Sequence, residues 1–457
     1  MRDYSTACLT RRELMQAARG AVASAAFLAG ALESGSADGA GATPLFRKSR
    51  ARVALVFAGD SAGCSERERL VELILTRACP RVEFRIRRAR TAADLQAAAA
   101  SLDECDGAIA WMLDGRAEPA ETLAAARTPL VVVSIRHEDP TVRNALLSGG
   151  IAGNRRVLPA SSRDWKDILQ AAWSFPVLRA MKETTILAIA EQPPGPEDRL
   201  ARMVFGTRVA RISGEEVHAI FRSIGAREGE ELAASWMRGA QRVEGPPADA
   251  LTRSARLHLA LCRAMAEHRA DVVAVDCAAL RRASREMPFC CLSHLQMNDE
   301  GAVAVCRGDV NLACAQALLR HTAGRPGFLC TGLLRSDGGA LLKHSACMSR
   351  PNGPERESVP YRLRPLPSGD GVYVRSLLPA GDGVTLVALD LGARRLDCGC
   401  ATTCGNVDLS EGCRTGLAVK PRGTLPEKTA HAVAVLGDWS PRLQRTARLA
   451  GLRSAAA

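Results

Sequence analysis

Two apolar runs decide the fold of this chain: Asp271-Val-Val-Ala-Val-Asp276-Cys277 and Ala302-Val-Ala-Val-Cys306-Arg307-Gly308-Asp309. Each run is short, is rich in Val and Ala, and ends in polar residues. Such runs are typical of central parallel strands, which are buried on both faces of a sheet. Open α/β sheets bind ligands at the carboxyl ends of their strands, so we expect a small-molecule site where these two runs end.

The chain on either side of these runs alternates strand and helix patterns. A second α/β unit is predicted to begin with a strand at 185–190 and to close with a helix at 310–321 and a strand at Phe328. A first unit is predicted from strands at 52–58, 82–86, 107–111 and 129–134 with helices at 66–77 and 92–102. This spacing predicts an α/β protein with two doubly wound parallel sheets. No Gly-x-Gly-x-x-Gly follows the first strand, so a dinucleotide site in the strict sense is not supported.

The pattern changes beyond Pro351 to short alternating strands with Gly and Pro turns. Strands are predicted at 372–375, 384–389 and 417–420, which indicates a small β-rich domain. The predicted organisation is therefore a leader and linker at 1–43, a first α/β domain at 44–175, a second at 176–352, and a β-rich domain at 353–457.

Composition sets limits on function. A chain of 457 residues with 47% hydrophobic residues is long enough for two or three domains with ample core. The formal net charge of +12 is spread along the chain, and aromatic residues make up only 4% of it. A nucleic-acid surface needs a basic stripe or aromatic stacking groups, and neither stands out, so we predict no nucleic-acid partner.

The amino terminus resembles a twin-arginine export signal. Arg11 and Arg12 precede an apolar stretch at 20–32, and small residues at 29–31 and 35–37 are candidate cleavage sites. The prediction is a periplasmic or otherwise exported protein that engages the twin-arginine translocase. The alternative is an amphipathic amino-terminal helix of a cytoplasmic enzyme. No later segment is long and apolar enough to predict a membrane span.

The sixteen cysteines show no repeating disulfide framework. Those inside apolar runs are predicted to be inert core thiols, since a buried thiol behaves as a small hydrophobic group. These are Cys262, Cys277, Cys306, Cys314 and Cys330. The exception is a compact group formed by Cys398, Cys400 and Cys404 with Cys413 nearby, for which disulfides or free thiols are favoured over a metal site.

From about residue 270 onward the chain resembles the L-fucose isomerase and L-arabinose isomerase superfamily, in its fucose-isomerase-like branch. Several blocks occur in the order of that branch. They are the Cys-x-Leu-Ser-x-Leu-x-x-Asn-Asp-x-Gly block from Cys290 to Gly301, Val305-Cys-Arg-Gly-Asp309, His321-Thr-Ala-Gly-Arg-Pro326, His344-Ser-Ala, Gly412-Cys-Arg-Thr415, and His431-Ala-Val-Ala-Val-Leu-Gly-Asp438.

The resemblance implies two α/β domains followed by a barrel-like carboxyl-terminal domain, assembled as a homo-oligomer with sites near subunit boundaries. It also implies aldose–ketose isomerisation of a sugar through an enediol, with Mn²⁺ or another divalent metal. By position in the blocks, the metal ligands are predicted to be Asp309, His344 and His431. The predicted catalytic residues are Asp309 and Asp276, and the predicted substrate-binding residues are Arg307, His294 and Asn298.

Several departures from the family pattern leave a second function open. The glutamate of the Cys-Glu-Gly-Asp block is Arg307, and an aspartate further on is replaced by Thr331. Another family carboxylate falls near Cys290 or Cys291. A fixed cation weakens the binding of a divalent metal unless it points away or holds an anionic substrate. The alternative hypothesis is a catalytically inactive carbohydrate-binding protein of the same fold.

Overall fold

The computed structural model describes residues 50–59, 64–113, 118–134, 156–245, 248–334, 338–344, 347–366, 370–408, 415–426 and 432–454. The predicted leader at 1–43 lies outside these ranges. The described chain divides into two compact units. The first unit holds the chain up to Arg179 together with Gln444–Arg453, and the second holds Ala180–Leu443.

The first unit contains a parallel sheet of five strands in the order β2-β1-β3-β4-β5. The central strands β1 and β3 consist almost entirely of buried apolar residues, as expected for strands covered on both faces. The strands are β1 (Ala51–Ala58), β2 (Val82–Ala89), β3 (Gly107–Met112), β4 (Leu130–Ser134) and β5 (Val157–Ser161). The helices are α1 (Cys64–Ala78), α2 (Ala92–Ala100), α3 (Glu118–Ala124), α4 (Trp165–Ala172) and α5 (Ser174–Glu183).

The carboxyl-terminal segment Gln444–Arg453 completes the core of this first unit. It lies mostly within the last helix, α13 (Ser440–Leu449). Leu449 is fully buried in the core cluster that also contains Phe175, and the guanidinium of Arg445 donates to a carboxylate oxygen of Asp167 at 2.8 Å. The first unit is therefore built from two stretches that are distant in sequence.

The second unit begins with a parallel sheet of four strands in the order β10-β9-β6-β7. The strands are β6 (Thr185–Ile189), β7 (Arg208–Ile212), β9 (Val272–Val275) and β10 (Val303–Cys306). The helices are α6 (Pro196–Phe205), α7 (Gly214–Ser223), α8 (Ala226–Gly239), α9 (Ala248–Glu267), α10 (Cys277–Ala283), α11 (Cys291–Asp299) and α12 (Val310–Ala323). The chain adds β7 on one side of β6 and β9 on the other, which creates a crevice at the carboxyl ends of β6 and β9.

The rest of the second unit forms a closed antiparallel barrel in the order β11-β12-β17-β16-β15-β18. Its strands are β11 (Phe328–Leu334), β12 (Ala340–His344), β15 (Gly383–Asp390), β16 (Arg395–Asn406), β17 (Thr415–Pro421) and β18 (Ala432–Leu436). A separate sheet has the order β14-β13-β8, from β8 (Arg242–Val243), β13 (Tyr361–Pro365) and β14 (Val372–Ser376).

The predicted α/β class with parallel sheets and a β-rich carboxyl-terminal region is thus confirmed. The strand at Phe328, which the sequence pattern assigns to the second α/β unit, is instead a barrel strand. It pairs with β12 on one side and β18 on the other. Within the described ranges, no helix combines the length and apolar character that crossing a bilayer needs.

A glycine in the first unit provides a test of its core packing. A Cβ atom at position 107 would lie 2.1 Å from Cε1 of Phe175, whose side chain is fully buried. Because the ring has no room to move, we expect Gly107→Ala to lower the free energy of unfolding by about 2 kcal/mol, measured by chemical denaturation. Gly383→Ala is the control, since its nearest neighbours would lie at an ordinary 3.6 Å. Equal stability of the two variants would contradict the packing described here.

Candidate functional site

Both predicted catalytic carboxylates lie where strands of the second sheet end, and both cap helices. Asp276 follows β9, and its Oδ1 accepts hydrogen bonds from the backbone N–H groups of Ala278 at 2.9 Å and Ala279 at 3.2 Å. Asp309 follows β10, and its Oδ1 accepts from the N–H of Leu312 at 3.1 Å. The sheet therefore presents both carboxylates at one edge, and each also stabilises a helix start.

The turn between β10 and α12 crosses the ends of neighbouring strands. Arg307 has φ = 77° and Gly308 has φ = 63°, so two successive residues adopt left-handed backbone. A Cβ on Gly308 would lie 3.4 Å from the Cβ atoms of Ala190, after β6, and Asp276, after β9. Arg307 is exposed, and a left-handed arginine costs about 1 kcal/mol. The crevice at the carboxyl edge thus has a strained, exposed cation beside it.

A third carboxylate at this edge was not recognised in the sequence. Glu191 follows β6, and both of its carboxylate oxygens accept from Nε of Arg282 at 3.0 Å. The same guanidinium lies 3.7 Å from Oδ2 of Asp276. The position of Glu191 directly after a buried strand is the signal that could have identified it. Arg282 therefore links two of the carboxylates at this edge.

Two predicted substrate-binding residues are buried rather than displayed at the edge. His294 is fully buried, and Asn298 is 2% exposed. The Asn298 amide accepts from the backbone N–H of Ala304 at 3.1 Å and donates to the carbonyl of the same residue at 3.3 Å. Its Oδ1 also accepts from Nε2 of Gln316 at 2.9 Å. The described contacts of Asn298 thus hold β10 in place.

The neighbours of two predicted metal ligands lie on the barrel strands that flank β11. His344 ends β12, opposite Thr415. The preceding residue, Lys343, lies opposite Thr331 of β11. Cys330, the residue before Thr331 on β11, lies opposite Ala432 at the start of β18. His431 itself lies outside the described residues. Because β12 and β18 both run antiparallel to β11, the carboxyl end of β12 with His344 and the amino end of β18 point to opposite ends of the barrel.

The first turn of α12 contacts the end of the barrel at which β18 begins. Oδ1 of Asn311, two residues after Asp309, accepts from the backbone N–H of Leu391 at 2.9 Å. Leu391 follows β15, whose carboxyl end lies beside the start of β18, because Val387 pairs with Val433. The helix that Asp309 caps is thus anchored beside the start of β18, at the end of the barrel opposite the carboxyl end of β12.

The described residues provide only part of the predicted manganese site. Carboxylate oxygen and imidazole nitrogen are suitable manganese donors, and the described cap bond of Asp309 uses only one of its oxygens. Among the residues that the structure describes, however, no group of three or more His, Cys, Asp and Glu side chains could hold a metal ion. Manganese therefore stays a prediction that depends on His431.

Three cysteines and His294 form a cluster below this edge, which we call the thiol cluster. Cys277 begins α10, Cys290 precedes α11, and Cys306 ends β10. The sulfur atoms of Cys277 and Cys290 are 2.9 Å apart. The His294 ring lies between two sulfurs, with Nε2 3.4 Å from Cys290 and Nδ1 3.3 Å from Cys306.

The prediction of inert core thiols is wrong for Cys277, because hydrogen bonds from Cys290 and Cys306 hold its pKa well below the ordinary value. It holds for Cys330, where burial raises the pKa of the thiol to about 12, and for Cys314, where burial also raises the pKa. Burial likewise raises the pKa of Cys262 to about 12. An apolar sequence context reveals that a thiol is buried but does not reveal whether a second thiol, distant in sequence, is packed against it.

The second predicted cysteine group does not form a site among the described residues. Cys398, Cys400 and Cys404 lie along the single extended strand β16, and all three are free thiols. Cys413 lies outside the described residues. Of the alternatives left open by the sequence, free thiols are the one found for these three cysteines.

A scan against protein-family models and a search of curated proteins each returned no match to this chain. The resemblance to the fucose and arabinose isomerase superfamily therefore stays a prediction, and the case for function depends on the chain's own residues.

A second buried imidazole provides a test of the interior next to the thiol cluster. Nδ1 of His258 lies 3.2 Å from Oγ of Ser293, and Nε2 lies 3.5 Å from the sulfur of Cys262. Burial lowers the pKa of His258 from 6.5 to about 4. As the pH falls, the imidazole of His258 is therefore protonated in the unfolded chain before it is protonated in the folded protein. The free energy of unfolding consequently decreases between pH 6.5 and pH 4.

We expect the stability of the wild-type protein to fall relative to His258→Gln by about 2 kcal/mol between pH 7.5 and pH 5, measured by urea denaturation. The comparison cancels other groups that titrate in both proteins. The control is His268→Gln, which changes an exposed imidazole and is expected to alter stability little at either pH. A difference between wild type and His258→Gln that is independent of pH would show that His258 is not held neutral by burial.

Proposed function

We propose that the protein binds a sugar at the carboxyl edge of the second sheet and interconverts its aldose and ketose forms. The observation that carries this proposal is the convergence of Asp276, Asp309 and Glu191 at the crevice beside β6 and β9. Arg307 is exposed at the same edge. The anchoring of the first turn of α12 beside the start of β18 supports it, since the resemblance predicts a metal ligand, His431, directly before that strand.

The reaction requires a base that moves a proton between adjacent carbons of the open-chain sugar. In this proposal Asp309 takes the proton from one carbon and returns it to the next, and Asp276 orients the hydroxyl groups. Arg307 donates hydrogen bonds to the sugar oxygens from its exposed position. A divalent manganese ion held by Asp309 and His431 would polarise the carbonyl and hydroxyl oxygens, whereas His344 ends a strand that points to the other end of the barrel.

A second candidate function, sugar binding without turnover, is favoured by the way the carboxylates are used. Oδ1 of Asp309 and Oδ1 of Asp276 are both engaged in helix capping, and Oδ2 of Asp276 faces Arg282. A general base that is already a hydrogen-bond acceptor is weaker than a free carboxylate. In this second candidate the edge retains its hydrogen-bonding groups and binds sugar without metal.

The deciding experiment incubates the purified protein and manganese with free pentoses, hexoses and deoxysugars and follows ketose formation by NMR. We expect one of these sugars to be converted and about one manganese ion to be retained per chain, as a single metal centre requires. Asp309→Asn preserves the helix cap but removes the charge, so it is expected to lose both properties while staying folded.

The control for this substitution is Asp164→Asn, which changes a capping aspartate of the first unit whose side chain accepts from the N–H of Asp167. It is expected to leave conversion and metal content unchanged. Sugar binding by the wild-type protein without manganese or conversion would establish the second candidate. A folded protein that neither binds nor converts any of these sugars would refute both.

Arg307 provides a separate prediction. Glycine adopts left-handed backbone without strain, so Arg307→Gly is expected to keep the stability of the protein within about 1 kcal/mol of wild type. Loss of the charged donor is expected to weaken sugar binding about tenfold, measured by calorimetry. Arg269→Gly is the matched control, because Arg269 is also an exposed left-handed arginine (φ = 51°) and lies before the amino end of β9. Equal affinities of the two variants would remove Arg307 from the site.

A further inference from the structure

The geometry of the thiol cluster suits the formation of one covalent bond. The sulfur atoms of Cys277 and Cys290 are 2.9 Å apart, and a disulfide requires about 2.05 Å. Both residues lie at helix starts, with Cys277 the first residue of α10 and Cys290 directly before α11. A combined movement of about 1 Å therefore brings the two sulfurs to bonding distance.

The electrostatics of the cluster give the two sulfurs different roles. Hydrogen bonds from the thiols of Cys290 and Cys306 hold the pKa of Cys277 well below its ordinary value. Burial raises the pKa of Cys290 well above its ordinary value, and the hydrogen bond to Cys277 does the same for Cys306. The cluster thus favours the thiolate form at Cys277 over the thiolate forms of Cys290 and Cys306. Since only the thiolate is a strong nucleophile, Cys277 is the reactive member.

The exposure of the two cysteines and the position of His294 agree with Cys277 as the reactive thiol. Cys277 is half-buried, whereas Cys290 is 1% exposed. Burial lowers the pKa of His294, which keeps the imidazole neutral. One of its ring nitrogens lies 3.4 Å from the Cys290 sulfur, where a neutral imidazole can accept the thiol proton. Cys277 is therefore the more exposed residue of the pair, and Cys290 is the more buried.

We propose that Cys277 and Cys290 form a redox-active dithiol that is oxidised to a disulfide by hydrogen peroxide. The thiolate of Cys277 attacks one peroxide oxygen, the O–O bond breaks, and the released hydroxide takes a proton to become water. This leaves a sulfenic acid on Cys277. The Cys290 sulfur then attacks the Cys277 sulfur, and the S–O bond breaks. The second water leaves with the Cys290 proton, so two thiols are oxidised as one peroxide is reduced to two waters.

This dithiol is independent of the proposed sugar chemistry, although it lies next to the same edge. Cys277 directly follows Asp276, and Cys306 directly precedes Arg307. Oxidation therefore joins the start of α10 to the start of α11 beside the candidate site. Thiolate and imidazole groups are also zinc donors, and an ion held by these side chains would protect the sulfurs from oxidation. The metal content of the protein is therefore measured in the same experiment.

The experiment treats the reduced full-length protein with stoichiometric hydrogen peroxide and identifies the products by intact mass and peptide mapping. We expect the loss of two hydrogens, a cross-linked pair of peptides containing Cys277 and Cys290, and reversal by dithiothreitol. Before oxidation, iodoacetamide is expected to alkylate Cys277 about tenfold faster than Cys105. Cys105 is a half-buried thiol of the first unit whose pKa is raised by burial.

In Cys290→Ser the reaction is expected to stop at the sulfenic acid of Cys277, which dimedone traps, whereas Cys105→Ser forms the same disulfide as wild type. The mapped cross-link of the wild-type protein tests the proposal even if a variant does not fold. The proposal is overturned if Cys277 and Cys290 both stay reduced, if the cross-link joins Cys277 to Cys306, or if zinc is bound and protects the cluster.

Discussion

The buried amide of Asn298 joins the elements on which the candidate site depends. Its hydrogen bonds to Ala304 hold the end of α11 against β10, and its bond from Gln316 adds α12. The amide nitrogen of Gln316 also donates to the carbonyl of Gly327, at the entry to the barrel, at 3.0 Å. A buried polar network of this kind specifies one arrangement of its members, because each lost bond leaves a desolvated group unpaired. The spacing of β10, α11 and α12 follows from this constraint.

The parts of the fold that depend on local patterns could be predicted from the sequence. Runs such as residues 272–275 are apolar throughout because both faces of the strand are covered, and Asp276 and Asp309 mark the strand ends where helices begin. The fate of the strand at Phe328 could not be predicted in this way. Its partners Ala434 and Leu342 come from separate barrel strands. The apolar residues of a strand do not by themselves reveal with which other strand it pairs.

The candidate site could likewise be predicted from the sequence only in part. Sequence reasoning placed carboxylates at the correct sheet edge, because the carboxyl ends of parallel strands meet there. It did not find the contact between Cys277 and Cys290, since that contact depends on how the chain between α10 and α11 folds back. It also placed His294 with the substrate, whereas the ring is enclosed by sulfur atoms. A side chain's type can be recognised in a sequence block, but its orientation is set by tertiary packing.

The discontinuous construction of the first unit has a consequence for biosynthesis. Leu449 fills part of the core that Phe57 and Phe175 line, so this core stays open until Leu449 has left the ribosome. The amino-terminal sheet, although translated first, cannot finish folding first. A nascent or truncated chain therefore exposes an apolar groove on that sheet. Chaperones and proteases recognise such surfaces, so a chain that stops before Leu449 is expected to be bound or degraded.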